Sequence, residues 1–131
     1  MNAHEHRIQC ACVRWFAYQY PQYEGLLFAC PNGGARDKVT GAMLKAEGVI
    51  AGVADLILLV PSNHTTLDDG RTWYRPIHAL CIEMKTEKGR QSPEQKAWQK
   101  KIEAHGYKYA VCRSLDDFIE TVNGYLKGGE K

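Results

Sequence analysis

The stretch Ala79-Leu80-Cys81-Ile82-Glu83-Met84-Lys85 sets an acid and a lysine inside an otherwise apolar strand, and this constrains the fold most. Strand residues alternate between faces, so Leu80, Ile82 and Met84 point one way while Glu83 and Lys85 share the other. Two residues along a strand span about 6.6 Å, which lets the two head groups meet around a common point. Charges in a largely buried strand are costly unless they are paired or bound to a metal. Taken alone, the strand is better explained by a same-face ion pair at a sheet edge than by a metal site.

The rest of the chain supplies the setting. Its 131 residues fit a single domain spanning the whole length. An apolar fraction of 44% is that of a globular chain, and a formal charge of +2 excludes a protein that coats nucleic acid indiscriminately. The five cysteines are scattered through apolar runs, and the polar start Met-Asn-Ala-His-Glu-His lacks the apolar core of a secretory signal. Reduced thiols and a cytoplasmic location are therefore expected. Apolar runs such as Leu56 to Val60 fall far short of the roughly 18–20 residues that cross a bilayer, so no membrane partner is expected.

Periodicity lays out the elements. Ile8, Cys12, Trp15 and Phe16 form the stripe of an amphipathic helix from about His4 to Tyr20, stopped by Pro21. Glu5 and Gln9 fall in line with that stripe, so their side chains are expected to be only partly solvated. Gly25 to Cys30 reads as a buried strand closed by the turn Pro31-Asn32-Gly33-Gly34. A short helix over residues 36–47 follows, then a compact apolar strand from Asp55 to Val60. The polar stretch Ser62 to Arg75, with Asp68-Asp69-Gly70, predicts a hairpin-like loop leading into a strand that reaches Lys85. Pro76 would keep the start of that strand at an edge or bulge. Ser92-Pro93-Glu94-Gln95 is a helix start with a capping box, and this helix runs to about Ala104. Tyr107 to Arg113 is a further strand, and Ser114 caps a last helix bearing Phe118, Ile119, Val122 and Leu126. The Gly-Gly-Glu-Lys tail is expected to fray. The fold class that follows is α/β, a mixed central sheet flanked by helices.

Asp55 turns the balance at Glu83. It opens the strand after Gly52-Val53-Ala54, a place where an acid often serves as a turn or capping acceptor. If the two strands are neighbours, however, Asp55 and Glu83 present two carboxylates with an ammonium beside them. Hard cations such as Mg²⁺ take that oxygen set, completed by waters and substrate phosphate. Lys85 could then orient a water and stabilise charge developing on phosphate. Downstream, Lys85, Lys88, Arg90, Lys96, Lys100 and Lys101 stand against Glu87 and Glu94, a local excess of four positive charges. Lys96 and Lys100 are one helical turn apart and can form one phosphate-facing row. A solvated helix face accounts for the same pattern.

Asp55 followed by Glu83-Met84-Lys85 resembles the Asp…Glu-x-Lys core of the PD-(D/E)XK nucleases. Longer agreement adds Glu5 and Gln9, Asn32-Gly33-Gly34, Gly48-Val49, Gly52-Val53-Ala54-Asp55-Leu56-Ile57-Leu58, Glu83-Met84-Lys85-Thr86 and Gly89-Arg90-Gln91-Ser92-Pro93-Glu94-Gln95. Together these resemble the VRR-NUC family, especially its compact stand-alone members from phages and bacteria.

The resemblance implies a restriction-endonuclease-like core. It implies a metal-dependent phosphodiesterase cutting DNA, selective for branched or four-way (Holliday) junctions and acting as a homodimer. In that family's pattern Asp55, Glu83 and the Met84 main-chain carbonyl would hold Mg²⁺ or Mn²⁺. Lys85 would be the catalytic lysine, Glu5 an additional first-helix acid and Gln95 an active-site polar residue; the clustered charge of Lys88, Arg90, Lys96 and Lys100 directly after this strand would then meet the DNA backbone. Glu5 has an alternative role on the helix dipole, and Gln95 one in its capping box. Ala54 stands where the superfamily pattern has proline, which bears on the shape of the turn. The alternative is a nucleic-acid-binding or assembly module that keeps the fold without turnover.

The histidines and aromatics point elsewhere. His4 and His6 point apart at a helix start, and His64, His78 and His105 lack metal-ligand spacing. Trp73-Tyr74 reads as strand packing or a dimer surface.

Overall fold

The computed structural model describes residues 2–31, 38–62, 65–66, 72–73 and 77–127. The expected turns at Asn32-Gly33-Gly34 and Asp68-Asp69-Gly70, together with His64, Tyr74, Pro76 and the Gly-Gly-Glu-Lys tail, lie outside them. Among the described residues no helix is long and apolar enough to cross a membrane.

Among the described residues, four helices and six strands follow in chain order. Helix α1 (Ala3–Gln19) starts at Asn2, whose side chain accepts the Glu5 N–H at 2.8 Å, and Pro21 turns it into a single 3-10 turn. Strand β1 (Leu27–Ala29), helix α2 (Lys38–Ala46) and strand β2 (Leu56–Leu58) come next. The short strands β3 (Thr65–Thr66) and β4 (Thr72–Trp73) pair only with each other. Strand β5 (Leu80–Met84), helix α3 (Pro93–Ala104), strand β6 (Lys108–Cys112) and helix α4 (Leu115–Lys127) complete the chain.

The main sheet runs β1-β2-β5-β6, antiparallel across the first two junctions and parallel between β5 and β6. A parallel pair needs a crossover, and α3 provides it. Alternation along β5 separates two cores. Leu80, Ile82 and Met84 pack with Leu56 and Leu58 against Cys12 and Phe16 of α1 and Phe118, Val122 and Tyr125 of α4. Cys81 packs on the opposite face with Ala54, Tyr109 and Val111, beneath Trp98 and Ile102 of α3. Each fully buried Leu, Ile, Met or Phe contributes about 1.5–3 kcal/mol, so the first face anchors the sheet. Glu83 therefore sits in a strand covered on both sides, with all five residues of β5 buried.

Two expectations are corrected. The strand after Gly25 is not buried: Leu27 is half-buried, and Phe28 and Ala29 are exposed. Among the described residues it pairs with β2 alone and so forms the edge of that sheet. The segment before Lys85 is not one continuous strand. The small β3–β4 hairpin stands apart, and a lone bridge between Ser62 and Ile77 precedes β5.

Candidate active site

Asp55 lies one residue before β2, and Glu83 is the fourth residue of β5. The register pairs Leu56 with Ile82, so the next step along the ladder sets Asp55 opposite Glu83. There the β2 ladder has ended, and the Met84 N–H donates instead to Asp55 Oδ2 at 2.7 Å. The acid thus takes the place of a strand partner, the acceptor role that its position at a strand start favours. A strand residue sends its N–H and C=O to the same edge, so the Met84 carbonyl also leaves on the Asp55 side. The Asp55 backbone carbonyl in turn accepts the Cys30 N–H at 2.9 Å, tying β1 to the site.

A cavity of about 690 Å³ opens over this corner, lined by Asp55, Glu83, Met84, Lys85 and Gln95, with Glu5 and Gln9 from α1. Every residue expected to act in catalysis or metal binding thus meets in one cavity. Lys88, Arg90, Lys96 and Lys100 are exposed on the following loop and on α3, and they are not part of the cavity wall.

Glu83 is the chemical centre, only 2% exposed. Its carboxyl is held up to about 8: burial raises it most, then hydrogen bonding with Asp55 and that residue's negative charge, against the opposing pull of Lys85 and Tyr109. Both its oxygens are held: Gln95 Nε2 donates to Oε2 at 3.0 Å and the Tyr109 hydroxyl to Oε1 at 3.3 Å. Behind Tyr109, Gln91 Nε2 bonds the hydroxyl at 3.2 Å and Gln99 Oε1 at 2.9 Å.

Gln95 joins two tasks. Its Oε1 accepts the Ser92 N–H at 2.7 Å, and Ser92 Oγ accepts the Gln95 N–H at 3.1 Å, closing the capping box of α3. The cap fixes the amide so that its nitrogen faces Glu83. Gly52 seats the same helix start on the loop before β2. A Cβ there would stand 2.6 Å from the Glu94 carbonyl carbon, and its φ of 86° lies in the left-handed region.

The donor set fits a hard divalent cation. Two carboxylates crowd together with one of them held far above its ordinary value, a strain that a cation between them would remove. Among the described residues no three His, Cys, Asp or Glu side chains converge, so the remaining ligands would be the Met84 carbonyl and waters, as Mg²⁺ prefers. Gln9 Oε1 is buried without a hydrogen-bond partner, an acceptor suited to such a water.

The VRR-NUC domain family matches residues 1–116. The chain belongs to the VRR-NUC family. A solved structure described as "VRR_NUC domain protein" has the same fold at 23% identity and a TM-score of 0.73, over 99% of this chain and 93% of that one. No curated protein matches the chain. Family and fold together make this a restriction-endonuclease-like, nuclease-type domain. The VRR-NUC site as built here contains residues that the sequence did not single out. Tyr109 reaches Glu83 through the parallel β5–β6 register, which pairs Glu83 with Val111 and Cys81 with Tyr109, and Gln91, which the sequence motif before α3 contains, supports the Tyr109 hydroxyl. Cys30 joins the cavity wall through the β1–β2 connection. No spacing rule marks Tyr109 or Cys30.

Proposed function

We propose that this VRR-NUC domain is a metal-dependent deoxyribonuclease that hydrolyses phosphodiester bonds as a structure-selective endonuclease on branched or four-way junction DNA. The observation that carries the reading is the placement of Asp55 opposite Glu83 at a ladder end, with Lys85 in the same cavity. Asp55, Glu83 and the Met84 carbonyl would hold Mg²⁺ or Mn²⁺. Such an ion supplies Lewis-acid stabilisation of the phosphate and its leaving oxygen.

The chain's own groups do the rest. Gln95 and Tyr109 fix the Glu83 carboxylate, so that its oxygens face the cavity without rearrangement. Lys85 brings an ammonium to the attacked phosphate, where it orients water and balances developing charge. Glu5 and Gln9 line the same cavity and would accept hydrogen bonds from water there. Lys88, Arg90, Lys96 and Lys100 offer a phosphate track outside the cavity. Two cuts across a junction need two such sites, hence a homodimer with two-fold symmetry.

The test is cleavage of labelled four-way, flap and linear DNA with Mg²⁺, Mn²⁺ or EDTA. The reading expects cuts near the branch that disappear with EDTA and in Glu83→Ala and Lys85→Ala. Cleavage that persists in EDTA would sink it. Binding without cleavage under any condition would point instead to a module that keeps the fold without turnover.

A further inference from the structure

We propose that Arg113 is a positioning residue for Lys85, acting through the turn that follows the catalytic strand. This rests on the nuclease reading above.

Arg113 follows β6 at the junction with α4, away from the cavity lining. Its Nη1 donates to three main-chain carbonyls of one turn: Thr86 at 2.8 Å, Glu87 at 3.3 Å and Gly89 at 2.6 Å. The turn also carries its own bond, Gly89 N–H to Thr86 O at 3.1 Å. Three carbonyls converging on one guanidinium nitrogen leave the turn little freedom, because each bond to a charged donor is stronger than a neutral one. The residue before Arg113 holds Lys85 directly, since the Cys112 carbonyl accepts the Lys85 N–H at 3.0 Å. Arg113 is itself fixed by its own N–H, which donates to Asp117 Oδ2 at 3.0 Å in the first turn of α4.

A separate observation links this turn to the lysine side chain. A Cβ built on Gly89 would lie 3.4 Å from Lys85 Cδ and 3.2 Å from Thr86 Oγ1. The bare glycine backbone therefore forms the seat on which the Lys85 stem rests. Arg113 fixes the seat, and the seat fixes the direction in which the ammonium leaves the strand.

The mechanism predicts a kcat effect. Displacing a catalytic group by about 1 Å can cost about 100-fold in rate, so Arg113→Ala should lower kcat by about 10- to 100-fold with little change in KM. Arg113→Lys keeps a cation with three N–H donors and should recover part of the rate. Gly89→Ala tests the seat without touching the arginine. Its backbone φ lies outside the left-handed region, so alanine is accommodated, and kcat should fall while Tm stays close to that of the unaltered chain.

Hydrogen exchange gives a readout independent of cleavage. The Lys85 and Gly89 amides should exchange faster in Arg113→Ala than in the unaltered chain. The proposal is overturned if Arg113→Ala keeps full kcat or if these amides stay protected. Should the unaltered chain fail to cleave any DNA, the nuclease reading falls, and amide exchange alone then decides the clamp.

Discussion

Gln95 stands 3.0 Å from Glu83 Oε2 through its side-chain nitrogen, while the oxygen of the same amide caps the helix that carries it. One residue thus couples the start of α3 to the most buried acid of the site. Gln95→Glu keeps the capping acceptor and replaces the donor with a second carboxylate. Hydrogen bonds to charged groups are worth about 1.5–3 kcal/mol, so a rate loss of about tenfold or more is expected with α3 intact. Cleavage kinetics beside far-ultraviolet circular dichroism test it: a variant with full rate would remove Gln95 from the site.

The Glu83 carboxyl makes the metal-free protein sensitive to alkali. Unfolded, it releases its proton near the ordinary 4.5; folded, burial and Asp55 hold that proton up to about 8. Between these values the folded chain binds more protons, so this contribution to stability is complete below 4.5 and declines as pH rises towards 8. In EDTA, Tm should therefore fall across that window. Glu83→Gln should flatten the decline, and added Mg²⁺ or Mn²⁺ should oppose it near pH 8. An unchanged Tm profile in Glu83→Gln would contradict the buried pairing.

Much of this site was legible because it depends on short-range pattern. Alternation alone set Glu83 and Lys85 on one face, and Ser92-Pro93-Glu94-Gln95 announced the helix that bears Gln95. The contributions of Tyr109, Gln91 and Arg113 were hidden because they follow from the register of a parallel pair and from a crossover closing in space. The strand at Leu27–Ala29 misled for a different reason. An apolar run has the same composition at a sheet edge as at its centre, and only the number of paired neighbours separates them.

Tyr109→Phe removes the weaker of the two holds on Glu83. The hydroxyl lies 3.3 Å from Oε1, longer than the Gln95 bond, and Gln91 keeps its partner Gln99 when the hydroxyl is gone. Stability should drop by about 1 kcal/mol, and the rate should fall less than in Gln95→Glu. Comparing the two variants on one substrate tests this order, and a larger effect at Tyr109 would reverse the assignment of the principal hold.

Gly52→Ala should be the most damaging small change near the site. A left-handed φ of 86° costs a non-glycine residue about 1–2 kcal/mol. The new methyl would also meet the Glu94 carbonyl carbon and oxygen at 2.6 Å, and both are backbone atoms that cannot swing aside. Relief requires the start of α3 to move away from the loop before Asp55. That shift carries Gln95 away from Glu83, so stability and cleavage should fail together, with Tm lower by about 5–10 °C. Gly48→Ala provides the control: it has φ 105° but, among the described residues, no atom within 4 Å of the added methyl. It should lose stability through backbone strain while keeping the cleavage rate of the folded protein. Equal rates in the two variants would show that the contact of Gly52 with α3 does not set the site.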